Sequence, residues 1–197
     1  MATDDPSVPP LVAAAALRAS EAGFTFSCEP EVGALLAVLA AHLPAGGRVL
    51  ELGTGVGVGT AWIVSGLAGR TDVSVTSVEA DQRRAELAAA AGWPAFVDLR
   101  HGDALDILAA SGEFDLIFAD APAGKWTALH RTIAALRPHG MLMVDDMTPM
   151  PHWDDQQRTE GNRVRGTLLA HPGLRSVELG HGSGVILSTR IDGNDLA

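Results

Sequence analysis

Two hydropathy patterns alternate along this chain. Short apolar runs at Arg48–Leu52, Val73–Glu79, Phe96–Arg100, Phe114–Ala119 and Met141–Val144 predict buried strands. Between them, Gly59–Ala68, Asp81–Ala91, Ala104–Ala110 and Lys125–Leu136 predict helices. Asp81 is placed as an N-cap and Gly92 as the stop of that same helix. Two helices precede the alternation, Leu11–Ala22 and Pro30–His42. The second has Pro in its first turn and apolar Val32, Leu35, Leu36 and Leu39 at helical spacing. A helix near Asp154–Ala170 follows, then two strands, Leu174–Leu179 and Gly184–Arg190. The short Gly-rich link between these strands predicts an antiparallel hairpin.

Strands that alternate with helices imply a mostly parallel sheet covered on both faces. The expected fold is α/β: a Rossmann-like, doubly wound sheet of seven strands that ends in the antiparallel hairpin. Residues 1–10, acidic and Pro-rich, read as a disordered arm, and 11–197 as one domain. The length of 197 residues suits that.

Composition changes the picture by exclusion. The net charge of −10 argues against a nucleic-acid surface, which needs clustered Lys and Arg. The apolar stretches are too short or too interrupted to span a bilayer. The start is not a signal peptide, and Cys28 is a single cysteine that cannot form an intrachain disulfide. A cytoplasmic protein is expected.

The first chemical signal is Val49-Leu50-Glu51-Leu52-Gly53-Thr54-Gly55-Val56-Gly57-Val58-Gly59-Thr60. A buried strand runs into a tight turn that opens a helix. Alternate glycines permit positive φ and leave no side chain where a ligand approaches the backbone. The following helix start offers free N–H groups to an anion. A dinucleotide turn reads GxGxxG, and the match fails from both Gly53 and Gly55. The pattern present, ExGxGxG, resembles the first motif of S-adenosylmethionine (SAM)-dependent methyltransferases.

Glu79 closes the second strand, where an acid accepts hydrogen bonds from ribose hydroxyls in doubly wound sheets. Asp103 follows the third strand and reads equally as an adenine-side residue and as a helix N-cap. The candidate cofactor residues are Glu51, Gly53, Thr54, Gly55, Gly57, Gly59, Thr60, Glu79, Ala80, Asp103, Ala104 and Asp120.

The fourth strand ends at Asp120 and the fifth at Asp145-Asp146. In an open parallel sheet the ligand crevice lies at the carboxyl ends of the strands, so the three acids are expected at one rim. Carboxylates gathered there repel unless protons or a cation intervene, and Mg²⁺ or another hard divalent ion suits oxygen ligands. FDLIFAD, then a Lys and an aromatic, then VDD, resembles the cation-dependent small-molecule O-methyltransferases, such as those acting on catechol and caffeoyl-CoA. It is closer still to a compact bacterial branch of that family. The resemblance runs from about Cys28 to Arg190 and includes SGVILSTR as the last antiparallel strand. It implies a metal held by Asp120, Asp145 and Asp146, a Lys base matching Lys125, and a homodimer. Two departures stand out. The family's Lys lies three residues after its Asp, whereas Lys125 lies five after Asp120. The second acidic site is Asp-Asp where the family has Asp-Asn.

His152 is the second candidate base. With Met147, Met150 and Trp153 it lies in a loop that should overhang the crevice and line an acceptor pocket. Trp62 and Trp93 read as packing residues. Cys28 reads as packing or cofactor-proximal, and His42, His139 and His171 as surface residues. His101 is placed beside the cofactor or in solvent. The function expected is methyl transfer from SAM to a hydroxyl of a small, aromatic acceptor. The rivals are a metal-independent N-, C- or carboxyl-methyltransferase, an aminopropyltransferase and a non-catalytic SAM-binding protein. The aminopropyltransferases carry an N-terminal β domain for which this chain has no counterpart.

Overall fold

The apolar runs pair into one seven-stranded sheet. In chain order the strands are β1 (Arg48–Leu52), β2 (Ser74–Glu79), β3 (Val97–His101), β4 (Phe114–Ala119), β5 (Leu136–Val144), β6 (Leu174–Leu179) and β7 (Val185–Arg190). Their order across the sheet is β3-β2-β1-β4-β5-β7-β6. The first five are parallel, and β7 is antiparallel to both β5 and β6. The expected hairpin therefore forms, with β7 inserted between β5 and β6. The structure is a computed structural model that describes residues 8–110, 112–151 and 153–192. Of the arm expected over residues 1–10, residues 1–7 lie outside those described, and Pro10 already opens the first helix.

Helices cover both faces. They are α1 (Pro10–Glu21), α2 (Pro30–Ala41), α3 (Val58–Gly66), α4 (Gln82–Ala89), α5 (Ala104–Ala110), the single turn α6 (Pro122–Lys125), α7 (Leu129–Ala134) and α8 (Asp155–Ala170). Successive residues of a strand face opposite ways. Val49 and Phe118 accordingly join a core with Val12, Leu36 and Ile63 of α1–α3. Their neighbours Leu50 and Ile117 join a second core with Leu108, Ile133 and Leu168 of α5, α7 and α8. Burial on both faces is why β1 and β4 read as continuous apolar runs.

Three local readings change. Of the helix expected over Lys125–Leu136, Lys125 instead ends α6, and α7 runs only over Leu129–Ala134, behind Ala128 at positive φ (55°). β5 begins at Leu136 rather than Met141. Its first residues, with Pro138 and a left-handed His139, form an irregular stretch that a turn-like sequence conceals. Asp81 caps α4 through its hydrogen bond from the Arg84 N–H (2.9 Å), but the helix stops at Ala89, so Gly92 lies beyond its cap. α8 starts where expected, on a capping box between Asp154 and Gln157. Among the described residues, no helix is long and apolar enough to cross a membrane.

Candidate active site

The carboxyl ends of β1, β2, β4 and β5 open into one cleft of about 770 Å³. Its floor is the Gly turn. Gly53 (φ 104°) and Thr54 hydrogen-bond through their N–H groups to the Val78 carbonyl (3.0 and 3.1 Å), which fastens the turn to β2. Gly57 (φ 93°) caps α3. Gly53, Thr54, Gly55 and Gly59 line the cleft, as do Ala80, Asp103 and Ala104. Gly57 and Thr60 lie behind the lining. Gly57 packs against Trp93, and Thr60 donates to Glu51.

Glu51 is fully buried. Its Oε2 accepts from Thr60 and from Ser77 (2.5 Å), while Oε1 is without a partner. Burial pushes its carboxyl up to about 7; the Ser77 and Thr60 hydrogen bonds pull against that, and Glu79 adds to it. A carboxyl raised in the folded state leaves stability untouched below its ordinary value near 4.5. It then destabilises progressively as pH rises towards 7. Glu51→Gln is therefore expected to gain on wild type between pH 5 and pH 8, by up to about 3 kcal/mol. Thermal unfolding of both proteins across that range measures it; a constant difference would count against a protonated Glu51.

Glu79 is held on every side. Oε2 accepts from the Gly55 N–H (2.8 Å), and Oε1 from the Asp81 N–H (2.9 Å) and from Arg84 Nη2 (2.8 Å). Asp103 is exposed and accepts from the Leu105 N–H (2.8 Å), so its N-cap reading holds while it borders the cleft.

The acids at the ends of β4 and β5 meet as expected. Asp120, Asp145 and Asp146 each present one oxygen, all within 4.8 Å of one another. Asp145 Oδ1 accepts from Ser183 Oγ (2.6 Å) and from the Asp146 N–H (2.7 Å). Burial raises the Asp145 carboxyl. Burial also raises Asp120 well above the carboxylate range, opposed by Lys125 and reinforced by the neighbouring acids.

Lys125 points inward despite its altered spacing. It is 2% exposed, and its Nζ lies 3.0 Å from Asp146 Oδ2, 3.9 Å from Asp120 Oδ1 and 3.2 Å from the Asp145 carbonyl. The turn before it is the cause. Gly124 (φ 88°) lies against Leu52, and its carbonyl accepts from Thr132 Oγ1 (2.8 Å). This conformation shortens the longer spacing to Asp120.

Above the acids, Trp126 and Trp153 meet edge to face at 5.8 Å, and both line the cleft with Met150. Met147 is instead fully buried in the core, and His152 lies outside the described residues. Cys28 lines the cleft as a buried thiol. Burial, then the surrounding carboxylates, raise its pKa well above the ordinary value. Trp62 and Trp93 pack as expected.

Sequence reasoning missed Phe24, Phe26, Arg84 and Ser183, all on the cleft. Nothing local marks them, since each reaches the site through a loop or a helix start. A signal for Lys125 was present: it is the only lysine among 14 basic residues.

The sheet order, the Gly turn and the acidic strand ends define a class I SAM-dependent methyltransferase. Comparison with known proteins agrees. The methyltransferase domain family matches residues 50–147. A Mycobacteroides abscessus protein named "Putative O-methyltransferase" is 33% identical over 193 residues, which cover 91% of this chain and 88% of that protein. A Mycolicibacterium vanbaalenii protein of the same name is 35% identical over 142 residues, 68% of this chain and 61% of that relative's length. Among solved structures, cofactor-bound Rv0187 from MTB is 27% identical with a TM-score of 0.80, over 96% of this chain and 94% of that one. The O-methyltransferase from Bacillus cereus in complex with SAH superposes with a TM-score of 0.78 at 22% identity, over 93% of this chain and 91% of that one. The chain belongs to the O-methyltransferase family.

Proposed function

We propose that this protein moves the methyl group of SAM to a hydroxyl of a small aromatic acceptor. One observation carries the reading: the Gly turn and the cluster of Lys125 with three acids open into the same cleft, under a wall of two tryptophans.

On this reading the Gly53–Gly59 turn takes the methionine end of the cofactor. The partnerless Glu51 Oε1 and Asp120 face its ammonium, and Glu79 takes the ribose. Glu79→Ala removes that acceptor and unpairs Arg84 and the Gly55 N–H. It is expected to weaken S-adenosylhomocysteine (SAH) binding by about 10- to 100-fold. Calorimetry checks this, and an unchanged affinity would place the ribose elsewhere.

The donor set of Asp120, Asp145 and Asp146 fits a hard divalent cation, being three carboxylate oxygens at close range. Such an ion would lower the pKa of a bound hydroxyl and orient it. Trp126 and Trp153 offer ring faces and edges to a planar acceptor. Lys125 Nζ is the first candidate to receive the hydroxyl proton, with His152 as the second. In-line alignment of oxygen, methyl and sulfur does the rest.

The test is incubation of the protein and SAM with a panel of hydroxylated aromatics, with Mg²⁺ or with EDTA. Expected is an acceptor heavier by one methylene unit, formed with Mg²⁺ and lost with EDTA. Product on an amine or carboxylate instead would favour the rival chemistries, and full turnover in EDTA would remove the ion.

A further inference from the structure

We infer that Lys125 is a built-in counter-cation: its ammonium holds the place among Asp120, Asp145 and Asp146 that a divalent ion would take, and the two exclude each other. This deepens the reading above and rests on its assignment of those carboxylates to a cation.

An ammonium only 2% exposed must be paired, and Lys125 finds its partners in the acids of the candidate cation site. Both cations would draw on the Asp120 and Asp146 carboxylates, while at Asp145 the ammonium donates to the backbone carbonyl (3.2 Å). The carboxylate oxygens of the three acids lie within 4.8 Å of one another, which leaves room for one positive centre close to all three. Lysine is also the basic residue that imitates an ion. Its charge is a compact point with three rotatable donors, whereas guanidinium is a plane with a fixed fork. This chain uses arginine for every other basic residue and lysine only here. The placement is enforced from behind by the left-handed Gly124, where an added Cβ would meet Leu52 Cδ1 at 2.5 Å.

The exchange would reach the acceptor pocket. Lys125 Nζ lies 5.0 Å from the centroid of the Trp126 ring. Ion loading would push the ammonium out of the acidic cage, towards the acceptor side of the cleft. An unloaded site would keep its charge balanced without any ion.

The single lysine makes the test direct. The full chain is saturated with SAH, and Mn²⁺ binding is measured by electron paramagnetic resonance for wild type, Lys125→Met and Lys125→Arg. Expected is Mn²⁺ binding at least tenfold tighter in Lys125→Met, and no tighter in Lys125→Arg. In parallel, wild type labelled with ¹³C-lysine gives one lysine ε-signal, which should shift as Mg²⁺ saturates the site. This arm needs no variant and decides the matter if Lys125→Met does not fold. Equal affinity in wild type and Lys125→Met, or a stationary lysine signal in an Mg²⁺-saturated protein, overturns the exchange but leaves the cation reading standing. Failure of every protein to bind Mn²⁺ overturns both.

Discussion

Lys125→Ala is expected to lower kcat by about 10²- to 10⁴-fold, the range for loss of a positioned acid–base group. SAH affinity should stay within about threefold, because the Gly turn and Glu79 do not contact the Lys125 amine. Lys125→Arg should not rescue turnover, since a guanidinium cannot take the hydroxyl proton. The alanine variant should also lose about 2–3 kcal/mol of stability. Three acids lose their counter-charge, but Asp146 is half exposed and water screens part of that loss. Steady-state kinetics beside urea unfolding separates the two effects. A variant that folds, binds SAH and turns over at the wild-type rate would remove Lys125 from the chemistry.

Gly53→Ala carries the second large effect. At φ 104° any side chain strains the backbone, and here the strain cannot relax. The new Cβ would stand 2.6 Å from the Asp120 carbonyl oxygen and 2.9 Å from its carbon. Both are backbone atoms at the end of a central strand, and β1 and β4 would have to part. A loss of about 3 kcal/mol or more is expected, with SAH binding weakened at least tenfold. Gly23→Ala is the control. It too has positive φ (64°), but no atom lies within 4 Å of its added Cβ. A loss of only about 1 kcal/mol is expected there. Chemical denaturation of the two variants compares them directly, and equal losses would show that φ alone, and not the approach to Asp120, governs Gly53.

The acidic end of the cleft is held together by long-range bonds. Ser183, from the link between β6 and β7, binds Asp145. The same link fastens the loop after β5, through the Met147 N–H to the Gly184 carbonyl (2.8 Å) and the Thr148 N–H to the Ser183 carbonyl (2.9 Å). Inserting β7 beside β5 is what brings Ser183 within reach. The C-terminal hairpin thus takes part in the site as well as closing the sheet.

By itself the sequence determined the layered α/β architecture and the Gly turn that lines the cleft. Both follow from local rules: apolar runs bounded by turns make buried strands, and alternate glycines between a strand and a helix make the turn. It also determined that Asp120, Asp145 and Asp146 would meet, because parallel strands place their carboxyl ends at one rim. The tertiary structure alone decided where Lys125 points, since its spacing from Asp120 suits an inward amine only with Gly124 in a left-handed turn against Leu52. It likewise sent Met147 into the core and Trp126 to the pocket wall, and brought Arg84 to Glu79 and Ser183 to Asp145. Side-chain direction in loops, and contacts between residues far apart in the chain, depend on how whole elements pack. Periodicity and motif spacing carry no record of that packing.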